Sequence, residues 1–143
     1  MAPLLSSGWN RKSARCEVRS AKVEKFEDLV AWQKAHALAI KIYQLTSKEK
    51  ISRDFGLKDQ IQRAAVSVMS NIAEGFERYS RPEFRQFLSI ARGSVAEVRS
   101  QLHIAKSLSY ISGQEFTSTY ALCRDVGNLI GGLRKSLEKG DAS

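Results

Sequence analysis

The side chains able to do chemistry gather in one stretch, "SNIAEGFERYSRPEFRQF", from Ser70 to Phe87. Gly75 with nearby arginines raises the prospect of a phosphate loop. Such a loop needs several glycines and a following Lys-Ser or Lys-Thr, so that backbone amides and an ammonium surround the anion. Here one glycine follows a helical pattern, and no GK[ST] is present, so Gly75 reads as a close-packing or helix-terminating residue. Glu74 is the acidic side chain set among small residues. As a general acid or base it would need a titrating partner, and neither His36 nor His103 is near it in sequence; a solvated or salt-bridged carboxylate is the plainer reading. Those histidines also lack ligand-spaced partners of the kind that build a metal centre in a helical bundle. Of the cysteines, Cys123 reads as a buried thiol and Cys16 as incidental, with no CxxC pair between them. The expectation is a protein that is not an enzyme and takes no metal or cofactor.

The arginines behave differently. Arg85, Arg92, Arg99 and Lys106 recur every seven residues, and Arg78 and Arg81 extend the row through the preceding loop. Between residues 78 and 111 only Glu83 and Glu97 are acidic. A one-signed row of cations on a rigid element is what backbone phosphate contacts require. A solvated face, or arginines pairing with carboxylates across a subunit interface, would leave the same pattern. The whole chain agrees in sign: 23 Lys and Arg against 15 Asp and Glu over 143 residues, a formal charge of +8. That excess attracts polyanions.

Helices must position these groups. "FEDLVAWQKAHALAIKIYQLT" carries a stripe through Leu29, Trp32, Ala35, Ala39 and Ile42, with Glu27 and Asp28 in its first turn. After the polar connection "SKEKISRDFG", a second helix fits "LKDQIQRAAVSVMSNIAEGF", with Ile61, Ala65, Val68, Ile72 and Gly75 on one face. Small neighbours there permit close approach of another helix, and Asn71 could supply a buried hydrogen bond, although packing beside that seam is the plainer reading. The third helix opens on the capping box Ser80–Glu83 with Pro82 in its first turn. Phe84, Ala91, Val98 and Ala105 then repeat every seven residues, with Phe87 or Leu88, Val95, Leu102, and Leu108 or its neighbours between, to about Ile111. A second box, Ser112–Glu115, starts a fourth helix with the stripe Phe116, Tyr120, Cys123, Val126, Ile130, Leu133 and Leu137, which Gly140 can end in a left-handed cap. The expected fold is all-α, an antiparallel up-down four-helix bundle over residues 25–140 behind a basic, flexible tail at 1–24. Charged residues interrupt every apolar run short of the ~20 needed to span a membrane. With scarce cysteine and no signal-peptide pattern, the expected setting is cytoplasmic, without membrane contact.

The stretches "QIQRAAVSV", "SNIAEGF" and "EFRQFLSIARGS" are similar to bacterial four-helix-bundle proteins of the ribosomal RNA intervening-sequence family, and the likeness extends over residues 25–138. The resemblance implies a ring-like homopentamer. A similar basic pentameric bundle is the accessory protein of diversity-generating retroelements, which binds nucleic acid and a reverse transcriptase. The implied partners are thus further copies of the chain, RNA or DNA, and a reverse transcriptase. Relatives commonly carry a proline where Met69 stands, so a kink in the second helix is expected to be absent. The family offers no catalytic residue. From the residues, the expected function is nucleic-acid binding through Arg78, Arg81, Arg85, Arg92, Arg99 and Lys106. The alternative is an interaction scaffold whose arginines serve assembly.

Overall fold

A computed structural model describes residues 23–141, and every regular element in them is helical. A 3-10 turn at Phe26–Asp28 leads into α1 (Val30–Thr46), and a single helical turn at Glu49–Ser52 precedes α2 (Phe55–Phe76). The two longest helices follow, α3 (Arg81–Ser107) and α4 (Gly113–Asp141). The basic tail expected at residues 1–24 lies outside the described residues except for Val23 and Glu24. Val23 is buried and lines a groove with Leu29 and Leu133.

Helix ends follow local chemistry. The Asp54 carboxylate caps α2, accepting from the Leu57 N–H at 3.1 Å. At α3, Ser80 Oγ accepts from the Glu83 N–H, with Pro82 in the first turn. The box at α4 is reciprocal: the Glu115 N–H donates to Ser112 Oγ at 3.0 Å, and the Ser112 N–H donates to Glu115 Oε1 at 2.8 Å. Lys48 Nζ also reaches Glu115 Oε2 at 2.7 Å, tying the α1–α2 connection to the start of α4.

Several boundaries differ from the sequence reading: the polar connection holds the turn at Glu49–Ser52, and α2 starts at Phe55 and not at Leu57. Glu27 and Asp28 belong to the 3-10 turn and not to the first turn of α1, because Leu29 is extended (φ −74°, ψ 127°) between the two. The third helix stops at Ser107 and not near Ile111. The Ser109 N–H bonds Lys106 O and the Tyr110 N–H bonds Ala105 O, while Ser109 takes φ 59°. That is the double hydrogen bond of a left-handed C-cap, made here without glycine. Gly140 lies inside the last turn of α4 and not in a left-handed cap.

α2 packs on α1 and α3, and α4 packs on α1 and α3, around one apolar core. Phe84, Ala91, Val98 and Ala105 are all buried, as are Leu88, Val95 and Leu102 between them. Leu108, just past the helix end, is 52% exposed. The α2–α3 contact is the most extensive in the molecule. Gly75 lies in it, buried within α2: a Cβ there would stand 2.7 Å from Phe87 Cβ and 2.9 Å from Phe84 Cδ1. Its role is therefore close packing. Further along, Ser67 Oγ meets Ser94 Oγ at 2.8 Å, and the Asn71 side-chain amide donates to Ser67 O and Oγ at 2.8 and 2.9 Å. Asn71 thus holds a hydrogen bond within the seam in addition to packing there. α2 continues unbroken through Met69.

Candidate nucleic-acid interface

The heptad cations follow the core heptad of α3 by one residue. One residue turns a helix by about 100°, so they emerge on the flank of the buried stripe. The helix on that flank is α4. Arg92, exposed, lays its guanidinium over Gly131, with Cζ 3.6 Å from where a Cβ would be. Arg99, half-buried, donates from Nη2 to Tyr120 Oη at 3.0 Å and stands 5.2 Å from the ring centroid. Lys106, exposed, holds Nζ 4.6 Å above the Phe116 ring. Among the described residues, no carboxylate lies within ion-pair distance of these three cations.

The other members of the row sit differently. Arg78 bonds Glu74 Oε2 at 3.0 Å, lies 3.8 Å from Glu83 Oε1, and covers the Phe87 ring at 5.1 Å. Its charge is already partly answered. Glu74 is accordingly an exposed, salt-bridged carboxylate. Arg81 and Arg85 are half-buried near the start of α3. The six residues therefore divide into a group at the α2–α3 connection and a seam of Arg92, Arg99 and Lys106 along α4.

The sequence reading did not single out what the seam rests on. Phe116 and Tyr120 were placed in the core stripe of α4, but both are only half-buried. Their rings stack with centroids 5.2 Å apart, and exposed His103 meets them at 5.1 and 5.5 Å. The available signal was a pair of aromatics four residues apart at the amino end of α4, whose inward positions further on are aliphatic. Arg134 of α4 also joins this side, with Nε donating to Ser89 Oγ at 2.8 Å and Nη1 to Glu138 at 2.8 Å. Beneath the seam, burial pushes the Cys123 thiol up to about 12, against a smaller opposing effect of the Arg99 charge.

His36 stacks on Trp32 at 5.2 Å on α1. Among the described residues no group of three or more His, Cys, Asp or Glu is placed to hold a metal. No helix among them is long and apolar enough to cross a membrane.

The class so defined is an all-helical protein with a cationic, aromatic-backed seam between its two longest helices. The chain belongs to the 23S rRNA-intervening sequence protein family, whose model matches residues 27–132. Among solved structures, it is similar to a protein of unknown function from the S23 ribosomal protein family of Bacteroides thetaiotaomicron. That match has 23% identity and a TM-score of 0.69, covering 74% of this chain and 96% of the other. At that identity the likeness bears on the fold alone. No curated protein is matched by the sequence.

Proposed function

We propose that this protein is a non-enzymatic, cytoplasmic, homo-oligomeric bundle that binds nucleic acid through backbone phosphates. RNA is the first ligand to test, in keeping with the family's description. The observation that carries the reading is the seam: Arg92, Arg99 and Lys106 share one flank, with no carboxylate within ion-pair distance among the described residues. Arg99 is held in place by Tyr120 and not by a counter-charge, so its charge remains available to an anion. Arg78, Arg81 and Arg85 extend the surface towards the α2–α3 connection once released from their present contacts.

The contacts also support the finer architecture. Gln60 meets Gln101, Ser67 meets Ser94, and Gly75 approaches Phe87, so numbering falls along α2 as it rises along α3. Gly131, Tyr120 and Phe116 oppose Arg92, Arg99 and Lys106 in the same reversed order. We read this as an antiparallel up-down bundle, and the family resemblance favours a ring-like homopentamer. Exposed apolar side chains on α1 and α2 (Ile40, Tyr43, Val66, and Phe55 at 75% exposure) and on α3 (Ile90, Ile104) are available for contacts between copies. They also favour a second reading, in which the ring is a scaffold for a protein partner such as a reverse transcriptase.

The test is fluorescence anisotropy with structured RNA and duplex DNA over a series of salt concentrations. Each phosphate neutralised contributes about −0.9 to the slope of log K against log salt on duplex. Removing Arg92 with Gln should lower the magnitude of the slope by about 1 and leave the oligomer unchanged by light scattering. An absence of binding at low salt, or a variant that dissociates the oligomer with no effect on the slope, would transfer the arginines to assembly.

A further inference from the structure

We infer that the face of Phe116 at the end of the cationic seam is a stacking seat for an unpaired nucleobase, with Lys106 exchanging the ring for the adjoining phosphate. This rests on the nucleic-acid reading above and adds the form of the ligand: a single strand or an extruded base.

The argument is one of ring faces. Phe116 has one face against Tyr120, with centroids 5.2 Å apart and planes inclined by 29°. Over Phe116 lies the Lys106 ammonium, at 4.6 Å. Tyr120 has Arg99 at its hydroxyl end, and His103 presents an exposed ring edge-on to Tyr120 and tilted to Phe116. Lys106, an exposed residue on a flexible stem, is thus the group that covers Phe116 from α3. An exposed ammonium over a half-buried ring is weakly held, and it is equally a phosphate ligand. A nucleotide can therefore offer both halves of an exchange. Its phosphate takes Lys106, and its base takes the face that Lys106 leaves.

A regular duplex cannot make that exchange, because its bases are stacked on one another. Single strands can, and aromatic rings beside cations are what tolerant single-strand binding uses. Position matters as well. Arg99 and Lys106 are seven residues apart on α3, about 10 Å along the helix, so a strand that places one phosphate at Lys106 continues past Arg99 and Arg92. The aromatic seat and the cationic track form one continuous surface.

The experiment compares the full chain against a single-stranded RNA, its DNA counterpart and a duplex of equal length, with 2-aminopurine as a reporter base in the single strands. The expected result is tighter binding of both single strands than of duplex, with quenching of 2-aminopurine on binding. Phe116→Leu, which keeps apolar bulk, should weaken single-strand binding by roughly tenfold and leave duplex affinity and salt slope unchanged. Lys106→Gln should reduce the magnitude of the slope by about 0.9 on duplex and about 0.7 on the single strands. Quenching in the unsubstituted protein tests the seat even if Phe116→Leu folds poorly. Equal affinity for single strands and duplex without quenching overturns the stacking seat and leaves the phosphate surface standing. Quenching with RNA alone or DNA alone assigns the seat to that polymer. No binding of any ligand at low salt overturns the phosphate reading, and this inference with it.

Discussion

Gly75→Ala isolates the closest approach in the molecule. The new Cβ would stand 2.7 Å from Phe87 Cβ and 2.9 Å from Phe84 Cδ1, where carbon–carbon contacts settle at about 3.5–4.0 Å. Phe87 Cβ is fixed by its own backbone and cannot rotate away. Phe84 is fully buried and packs edge-on against Phe76 at 5.9 Å. α2 and α3 must therefore part by nearly 1 Å, disturbing their most extensive interface. Overpacking of this kind costs about 1–3 kcal/mol, and contact with a fixed atom favours the upper end. Alanine regains about 1 kcal/mol over glycine in a helix, leaving a net loss of about 2 kcal/mol. Gly93→Ala is the control. That glycine is exposed within α3, and apart from its chain neighbours and its own helix backbone nothing lies within 4 Å of its would-be Cβ, so the same substitution should stabilise by up to about 1 kcal/mol. Urea unfolding at fixed protein concentration reads both, with the Gly75→Ala midpoint about 1 M lower. A Gly75→Ala midpoint at or above that of the unsubstituted protein would refute the close α2–α3 approach.

Further outcomes follow from the same geometry. Ser109 pays a left-handed backbone penalty at φ 59°, so Ser109→Gly should stabilise by up to about 1 kcal/mol and raise the melting temperature by a few degrees. Burial pushes the Cys123 thiol up to about 12, while the unfolded chain's thiol ionises near about 8.5. The folded state then keeps a proton that the unfolded state loses, so stability falls as pH rises through that window. Cys123→Val should flatten this slope, and a thiol reagent should modify the native protein only through unfolding. Glu115 is held below its usual value by the Lys48 hydrogen bond first and the Ser112 N–H second. Its contribution is present above the ordinary carboxylate range and is lost as pH falls. Melting curves should accordingly separate the protein from Glu115→Gln near neutrality and converge in acid.

The starts of α3 and α4 were legible because their chemistry is local. Ser80 with Pro82 and Glu83, and Ser112 with Glu115, define their caps within four residues. The end of α3 was not legible, because it depends on Ser109 entering a conformation that composition assigns to glycine or asparagine. Leu108 was carried into the heptad for the same reason and is outside it. Gly75 could be read as packing or terminating from sequence alone. The choice requires Phe87 and Phe84, which arrive from another helix. Phe116 and Tyr120 fit the inward period of α4, yet near its start they lie at the rim and remain half-buried.

The cationic row shows where periodicity stops informing. A heptad one residue after the core heptad places Arg92, Arg99 and Lys106 on a flank, but α2 and α4 both border α3. Which of them lies on that flank depends on the direction in which the chain turns from helix to helix, and a helical period contains no such information. The answer changes the chemistry. Beside α2 the row would share the groove that includes Gln60, Glu97 and Gln101. Beside α4 it meets a bare backbone at Gly131 and rings at Tyr120 and Phe116. A glycine lets a guanidinium lie flat, and an aromatic ring holds a cation without cancelling its charge. The packing of α4 on that flank of α3 thus sets three cations on neutral supports, which leaves them accessible to an anion.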